Sequence, residues 1–62
     1  MMKLNDARKI LPRFAVGLGI YAKTTSSLRD SVRHEISMYR AGVNPLEPKQ
    51  VKALEVFLER TK

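Results

Sequence analysis

The residues of this sequence best suited to chemistry are three arginines that share one side of a predicted helix. Arg29, Arg33 and Arg40 are separated by four and seven residues, which places them on one helical face. Their guanidinium groups, like nearby ammonium and hydroxyl groups, donate hydrogen bonds to phosphates, and arginine also pairs with guanine edges. The predicted nucleic-acid contacts are Lys23, Thr25, Arg29, Arg33, Ser37 and Arg40.

Other groupings of reactive residues do not favour catalysis. Gly17, Gly19 and Ala22 match the letters of a dinucleotide-binding motif, but that motif needs a strand–helix–strand unit for which this chain has no room. His34 begins the spelling of a zinc-protease motif whose second histidine position is occupied by Met38. We therefore expect no enzyme activity, no catalytic residue, no cofactor and no metal.

The positive charge is concentrated in the first two thirds of the chain. Twelve Lys and Arg stand against six Asp and Glu, a formal net charge of +6. Residues 1–40 hold eight basic and three acidic residues, net +5, and residues 41–62 hold four and three, net +1. Positive charge attracts nucleic acid or an anionic membrane surface, and of these we predict double-stranded DNA as the partner, with a membrane-surface peptide as a further alternative.

The apolar runs are too short to cross a membrane. The longest uncharged apolar run, residues 14–22, has nine residues, and a membrane-spanning helix needs about 20. The sequence therefore predicts no membrane span, and we expect a cytoplasmic protein.

Apolar spacing and helix-ending residues predict the first two helices. The first spans about residues 3–11, because Pro12 disfavours helical geometry in the residue before it. The second begins in a run of hydroxyl residues near Ser27, whose spacing from Asp30 is typical of a helix start, and ends at Arg40 before Gly42.

The third helix has two possible starts and runs to about Arg60. Either Asn44 is the cap and Pro45 the first residue, or Pro48 is the first residue and Gln50 the third. A chain of 62 residues without cysteine has a small core, so we expect the nearly neutral third helix to serve as core or as the contact of a homodimer. Its apolar face comprises Val51, Leu54, Phe57 and Leu58.

The stretch 13–22 fits either a helix or a strand. As a helix it continues the spacing of the first helix through Phe14, Leu18 and Tyr21. We expect the aromatic residues Phe14 and Tyr21 to lie in the core. As a strand it alternates apolar residues with small ones. Gly17 and Gly19 weaken both structures, and we favour the helix.

Parts of the chain resemble Cro/repressor-type helix-turn-helix regulators. The residues that carry the resemblance are Ile36–Pro45 (ISMYRAGVNP), Val51–Leu58 (VKALEVFL) and Leu4–Leu11 (LNDARKIL). The first run is similar to the end of a recognition helix, the second to a closing helix and the third to a first helix. The stretch from Lys9 to Ile36 is several residues longer than is usual in that family.

A second resemblance is to ribbon-helix-helix regulators. Gly42-Val43-Asn44 stands where those proteins carry a Gly-x-Ser/Asn turn between two helices, and residues 14–20 take the place of the strand. Both resemblances imply a small DNA-binding regulator, often dimeric, of the kind common on phages and mobile elements.

The predicted fold is a compact all-α domain of three to four helices over residues 1–62, with a ribbon-helix-helix fold as the alternative. The predicted function is non-enzymatic DNA binding through the basic helix 27–40, as a small transcriptional regulator or an architectural, excisionase-like factor. The alternative function is that of a small inhibitor or adaptor that docks an apolar helical stripe on a larger protein.

Overall fold

The chain folds into four helices without a strand. A computed structural model describes residues 1–62, which form α1 (Leu4–Ile10), a 3-10 helix (Arg13–Gly19), α2 (Thr25–Arg40) and α3 (Pro48–Arg60). The all-α prediction is confirmed. The strand proposed for residues 14–20, and with it the ribbon-helix-helix fold, is wrong.

Pro12 separates α1 from the 3-10 helix, as its ring requires. Leu11 is extended, with φ −66° and ψ 132°, and ends α1. The next stretch satisfies its backbone locally, since the Ala15 N–H donates to the Pro12 carbonyl at 2.9 Å. These i to i+3 bonds leave no free row of donors for a partner strand, which explains why the strand does not form.

α2 begins two residues before the predicted start. Thr24 is extended, and its Oγ1 accepts a hydrogen bond from the Ser27 N–H at 3.0 Å, so Thr24 and not Ser27 caps the helix. At the other end Gly42 takes φ +77°, and the Val43 N–H donates to the Met38 carbonyl at 2.9 Å. This is the left-handed stop that Gly42 predicts.

α3 uses the later of its two predicted starts. Pro48 is its first residue, and the Glu47 N–H donates to Gln50 Oε1 at 2.9 Å. The earlier start is wrong for two reasons. Glu47 precedes a proline and is extended, and the Asn44 side chain donates to Glu35 Oε1 at 3.2 Å instead of capping a helix.

α2 is the central element of the core. It packs against α1, the 3-10 helix and α3. The 3-10 helix lies close to it at Gly19, where a Cβ atom would lie 2.7 Å from Leu28 Cδ1. The buried apolar residues are Ala7, Leu11, Ala15, Ala22, Leu28, Val32, Ile36, Leu54 and Phe57. None of the helices has the length and apolar content that a bilayer crossing requires.

Candidate nucleic-acid interface

The exposed side of α2 forms a ridge between two shallow grooves. Its inner side, Leu28, Val32 and Ile36, is buried in the core, which turns the polar residues outward. One groove lies against the 3-10 helix, where Leu18 faces the α2 residues Ser27, Asp30, Ser31 and His34. The other lies between α2 and α3.

Three of the six predicted contacts lie together in the groove between α2 and α3. Arg33, Ser37 and Arg40 are all exposed and line a depression of about 280 Å³. The other lining residues are Ile36, Glu55 and Leu58. Two guanidinium groups and a hydroxyl therefore face solvent from one side of one helix, an arrangement suited to a phosphate backbone or a groove edge.

Both exposed arginines have acidic neighbours. Arg33 Nη1 lies 3.1 Å from Asp30 Oδ1, and the two side chains are 54% and 72% exposed. Arg40 Nη2 lies 3.9 Å from Glu55 Oε2, with side chains 70% and 54% exposed. Solvent-exposed ion pairs stabilise a protein by about 0–1 kcal/mol. Neither arginine is therefore held strongly, and each can exchange its carboxylate for a phosphate.

Arg29 is turned away from this ridge and towards the end of α3. Its Nε donates to Thr61 Oγ1 at 3.1 Å and its Nη2 donates to the Leu58 carbonyl at 3.2 Å. The guanidinium therefore satisfies groups at the C-terminus of α3, where helix carbonyls lack partners. Spacing along α2 contains no signal for this contact, because Thr61 is 32 residues away.

Thr25 is buried, and its hydroxyl is already used. Its Oγ1 donates to the Met2 carbonyl at 2.6 Å, which attaches the N-terminal segment to the start of α2. Lys23 lies just before α2, is exposed and takes part in no ion pair. Of the predicted contacts, the exposed set is thus Lys23, Arg33, Ser37 and Arg40.

The predicted contact face of α3 is largely internal. Leu54 is fully buried and Phe57 is 2% exposed, so both fill the core of the single chain. Val51 and Leu58 are only partly buried. The interpretation of this face as core therefore holds for Leu54 and Phe57, and only Val51 and Leu58 remain for a second copy.

The sequence did not predict the exposed apolar surface that the 3-10 helix presents. Phe14 and Tyr21 were expected in the core but are 44% and 91% exposed, beside the exposed Val16 and Ile20. That expectation assumed that the helical spacing of α1 continues without a shift past Pro12. Extended geometry at Leu11 and Pro12, followed by tighter 3-10 winding, shifts that spacing and turns these side chains outward.

The site contains binding groups and no set of metal ligands. No three His, Asp or Glu side chains lie close enough together to hold a metal ion. A scan against protein-family models, a search of curated proteins and a search of solved structures each return no match.

Proposed function

We propose that this protein binds double-stranded DNA through the exposed ridge of α2. The observation that carries the proposal is the clustering of Arg33, Ser37 and Arg40 along the groove beside α3. These side chains supply charged and neutral hydrogen-bond donors for phosphates and base edges.

The dimensions of α2 suit this role. It has 16 residues, which corresponds to a length of about 24 Å. A helix with its side chains is about 10–12 Å in diameter, and the major groove is about 12 Å wide. Shallow grooves flank the polar side of α2, one against the 3-10 helix and one against α3.

Lys23 extends the cationic surface to the start of α2. It lies beside Thr24 and Ser26, which are both exposed. A phosphate near these residues also faces the N-terminal end of the helix, where the helix dipole favours an anion. The proposed interface therefore runs along α2 from Lys23 to Arg40, without Arg29 and Thr25.

The proposal also includes a biological role. A small transcriptional regulator or an architectural factor is consistent with the resemblance of Ile36–Pro45 and Val51–Leu58 to helix-turn-helix regulators. The homodimer stays a prediction. The adaptor alternative also stays a prediction, although the apolar stripes of α2 and α3 are buried in the chain's own core.

A salt titration of duplex binding tests the proposal. The affinity measured by electrophoretic shift or fluorescence anisotropy falls with salt, with a log–log slope of about 0.9 per phosphate neutralised. Single-stranded DNA and heparin serve as competitors, and preferential retention of the duplex is the expected result. Absence of duplex binding at low salt overturns the proposal.

A further inference from the structure

The 3-10 helix and the turn after it expose an apolar surface that the DNA proposal does not use. We name it the 14–21 surface, and it consists of Phe14, Val16, Ile20 and Tyr21. Their exposed fractions are 44%, 53%, 62% and 91%, and the other exposed large apolar residues in the chain are Met1, Val43 and Val56. More than half of the exposed large apolar side chains therefore fall within eight consecutive residues.

Ile20 links the members of this surface, since it aligns with Phe14, lines a cavity with Val16 and precedes Tyr21 in the chain. Side chains three residues apart are aligned in such a helix, so Phe14 lies on the same face as Gly17 and the following Ile20. Val16 and Ile20 also line one cavity of about 200 Å³, whose other walls are Arg8, Leu11 and Gly19. Grouped apolar side chains on a surface are typical of an interaction site.

In the sequence that flanks this surface, the charges have one sign. Between Asp6 and Asp30 the chain contains five basic residues and no acidic one. Two of the five are engaged by the protein itself, since Arg8 Nη2 donates to the Ala22 carbonyl at 2.6 Å and Arg29 binds the end of α3. The other three are exposed and form no ion pair: Lys9, Arg13 and Lys23.

This combination indicates which partner fits. A second copy of the chain would bring the same cations against each other, which opposes association through this surface. The surface of an anionic bilayer offers phosphates to the cations and, directly beneath them, acyl chains to the apolar side chains. Tyrosine is also enriched at the boundary between lipid and water.

We propose that the 14–21 surface docks on the headgroup layer of an anionic lipid bilayer. Ile20 and Tyr21 enter the boundary between headgroups and acyl chains, while Arg13 and Lys23 face lipid phosphates. The docking is peripheral and reversible, and Lys23 is the one residue that it shares with the proposed DNA interface. It otherwise uses different residues, so it stands or falls independently of DNA binding.

A tryptophan reporter tests this docking directly. The chain has no Trp, so Tyr21→Trp introduces a single fluorophore at the most exposed position of the surface. With vesicles of equal phosphatidylglycerol and phosphatidylcholine its emission shifts to the blue and saturates, whereas pure phosphatidylcholine gives no shift. Val56→Trp, on α3, is the matched control and stays unshifted while its protein co-sediments with the vesicles.

Two truncations measure the apolar contribution. Val16→Ser and Ile20→Ser remove carbon from side chains that are more than half exposed, so the core is untouched. Each lowers partitioning into the anionic vesicles by about tenfold. Both variants keep the wild-type affinity for duplex DNA, and the double variant Arg33→Ala/Arg40→Ala keeps the wild-type affinity for vesicles.

Several results overturn the docking proposal. One is the absence of binding to anionic vesicles at low salt. Another is unchanged binding by folded Val16→Ser and Ile20→Ser, since the cations alone then account for it. A third is a dimer in sedimentation that these two substitutions convert to a monomer, because the 14–21 surface is then an interface between copies of the chain.

Discussion

Arg29 and Thr61, at the start of α2 and the end of α3, form a polar contact at the edge of the core. Arg29 Nε donates to Thr61 Oγ1 at 3.1 Å, and Thr61 Oγ1 donates to the Phe57 carbonyl at 2.9 Å. Thr61 is fully buried. Because the guanidinium also binds the Leu58 carbonyl, a positive charge lies at the negative end of the α3 dipole.

Removal of this contact is expected to destabilise the fold. Arg29→Ala removes two charge-assisted hydrogen bonds, one to the buried Thr61 hydroxyl and one to the Leu58 carbonyl, so the free energy of unfolding falls by about 1–3 kcal/mol. Urea denaturation followed by circular dichroism measures the change. Arg33→Ala is the control, since its exposed ion pair contributes about 0–1 kcal/mol.

A double-mutant cycle separates the interaction energy between Arg29 and Thr61 from the other effects of each substitution on stability. Thr61→Val removes the hydroxyl and keeps a similar shape, and its effect with Arg29→Ala is expected to be smaller than the sum of the two single effects. Strict additivity would contradict a direct contact between the two side chains.

The two glycines of the 3-10 helix are expected to respond oppositely to alanine. A Cβ at Gly19 would lie 2.7 Å from Leu28 Cδ1, a fully buried side chain, so Gly19→Ala forces the 3-10 helix away from α2. Such overpacking costs about 1–3 kcal/mol. Gly17 has no atom within 4 Å of the same position, and Gly17→Ala leaves the thermal midpoint unchanged or raises it. Equal effects of the two substitutions would exclude the close approach.

The cap of α2 gives a third prediction. Thr24→Ala removes the oxygen that accepts from the Ser27 N–H and lowers stability by about 1 kcal/mol, whereas Thr24→Ser retains it. Ser26→Ala, in the first turn of α2, is the control, because the Ser26 side chain forms no hydrogen bond that the substitution could remove. A larger loss for Ser26→Ala than for Thr24→Ala would place the cap elsewhere.

Local signals in the sequence predicted most helix boundaries. Pro12, Gly42 and Pro48 each act on their own neighbours, and each ends or begins a helix as its chemistry requires. The strand alternative for residues 14–20 failed because helix and strand patterns overlap in a short apolar run. The close packing of Gly19 in the 3-10 helix against Leu28 is a tertiary contact that no local pattern encodes.

The candidate site was predicted only in part, for a similar reason. Helical spacing grouped Arg29, Arg33 and Arg40 correctly on one flank of α2. However, α3 packs along that flank, and the Arg29 guanidinium donates hydrogen bonds to groups at the C-terminus of α3. The Thr25 hydroxyl is likewise engaged by a distant group, because it donates a hydrogen bond to the Met2 carbonyl. Which polar side chain stays exposed depends on tertiary contacts between residues far apart in sequence.

Asp30 is expected to weaken DNA binding. It pairs with Arg33 on the exposed ridge and adds a negative charge there. Asp30→Asn therefore raises duplex affinity at low salt by up to about fivefold, the range of an exposed ion pair. Glu59→Gln, the same charge change on α3 in a residue paired with Lys62, measures the effect of net charge alone. Equal gains in the two variants would contradict a specific role for the ridge.

The most direct test of the DNA-binding proposal compares two double variants of equal net charge. Arg33→Ala/Arg40→Ala removes two cations from the ridge, and Lys49→Ala/Lys52→Ala removes two exposed cations from α3, so each lowers the formal charge from +6 to +4. We predict that the arginine variant loses about tenfold or more in duplex affinity at low salt and reduces the salt slope by about 1.8, while the lysine variant stays near wild type. Equal losses in the two folded variants, or an unchanged arginine variant, would contradict binding through α2.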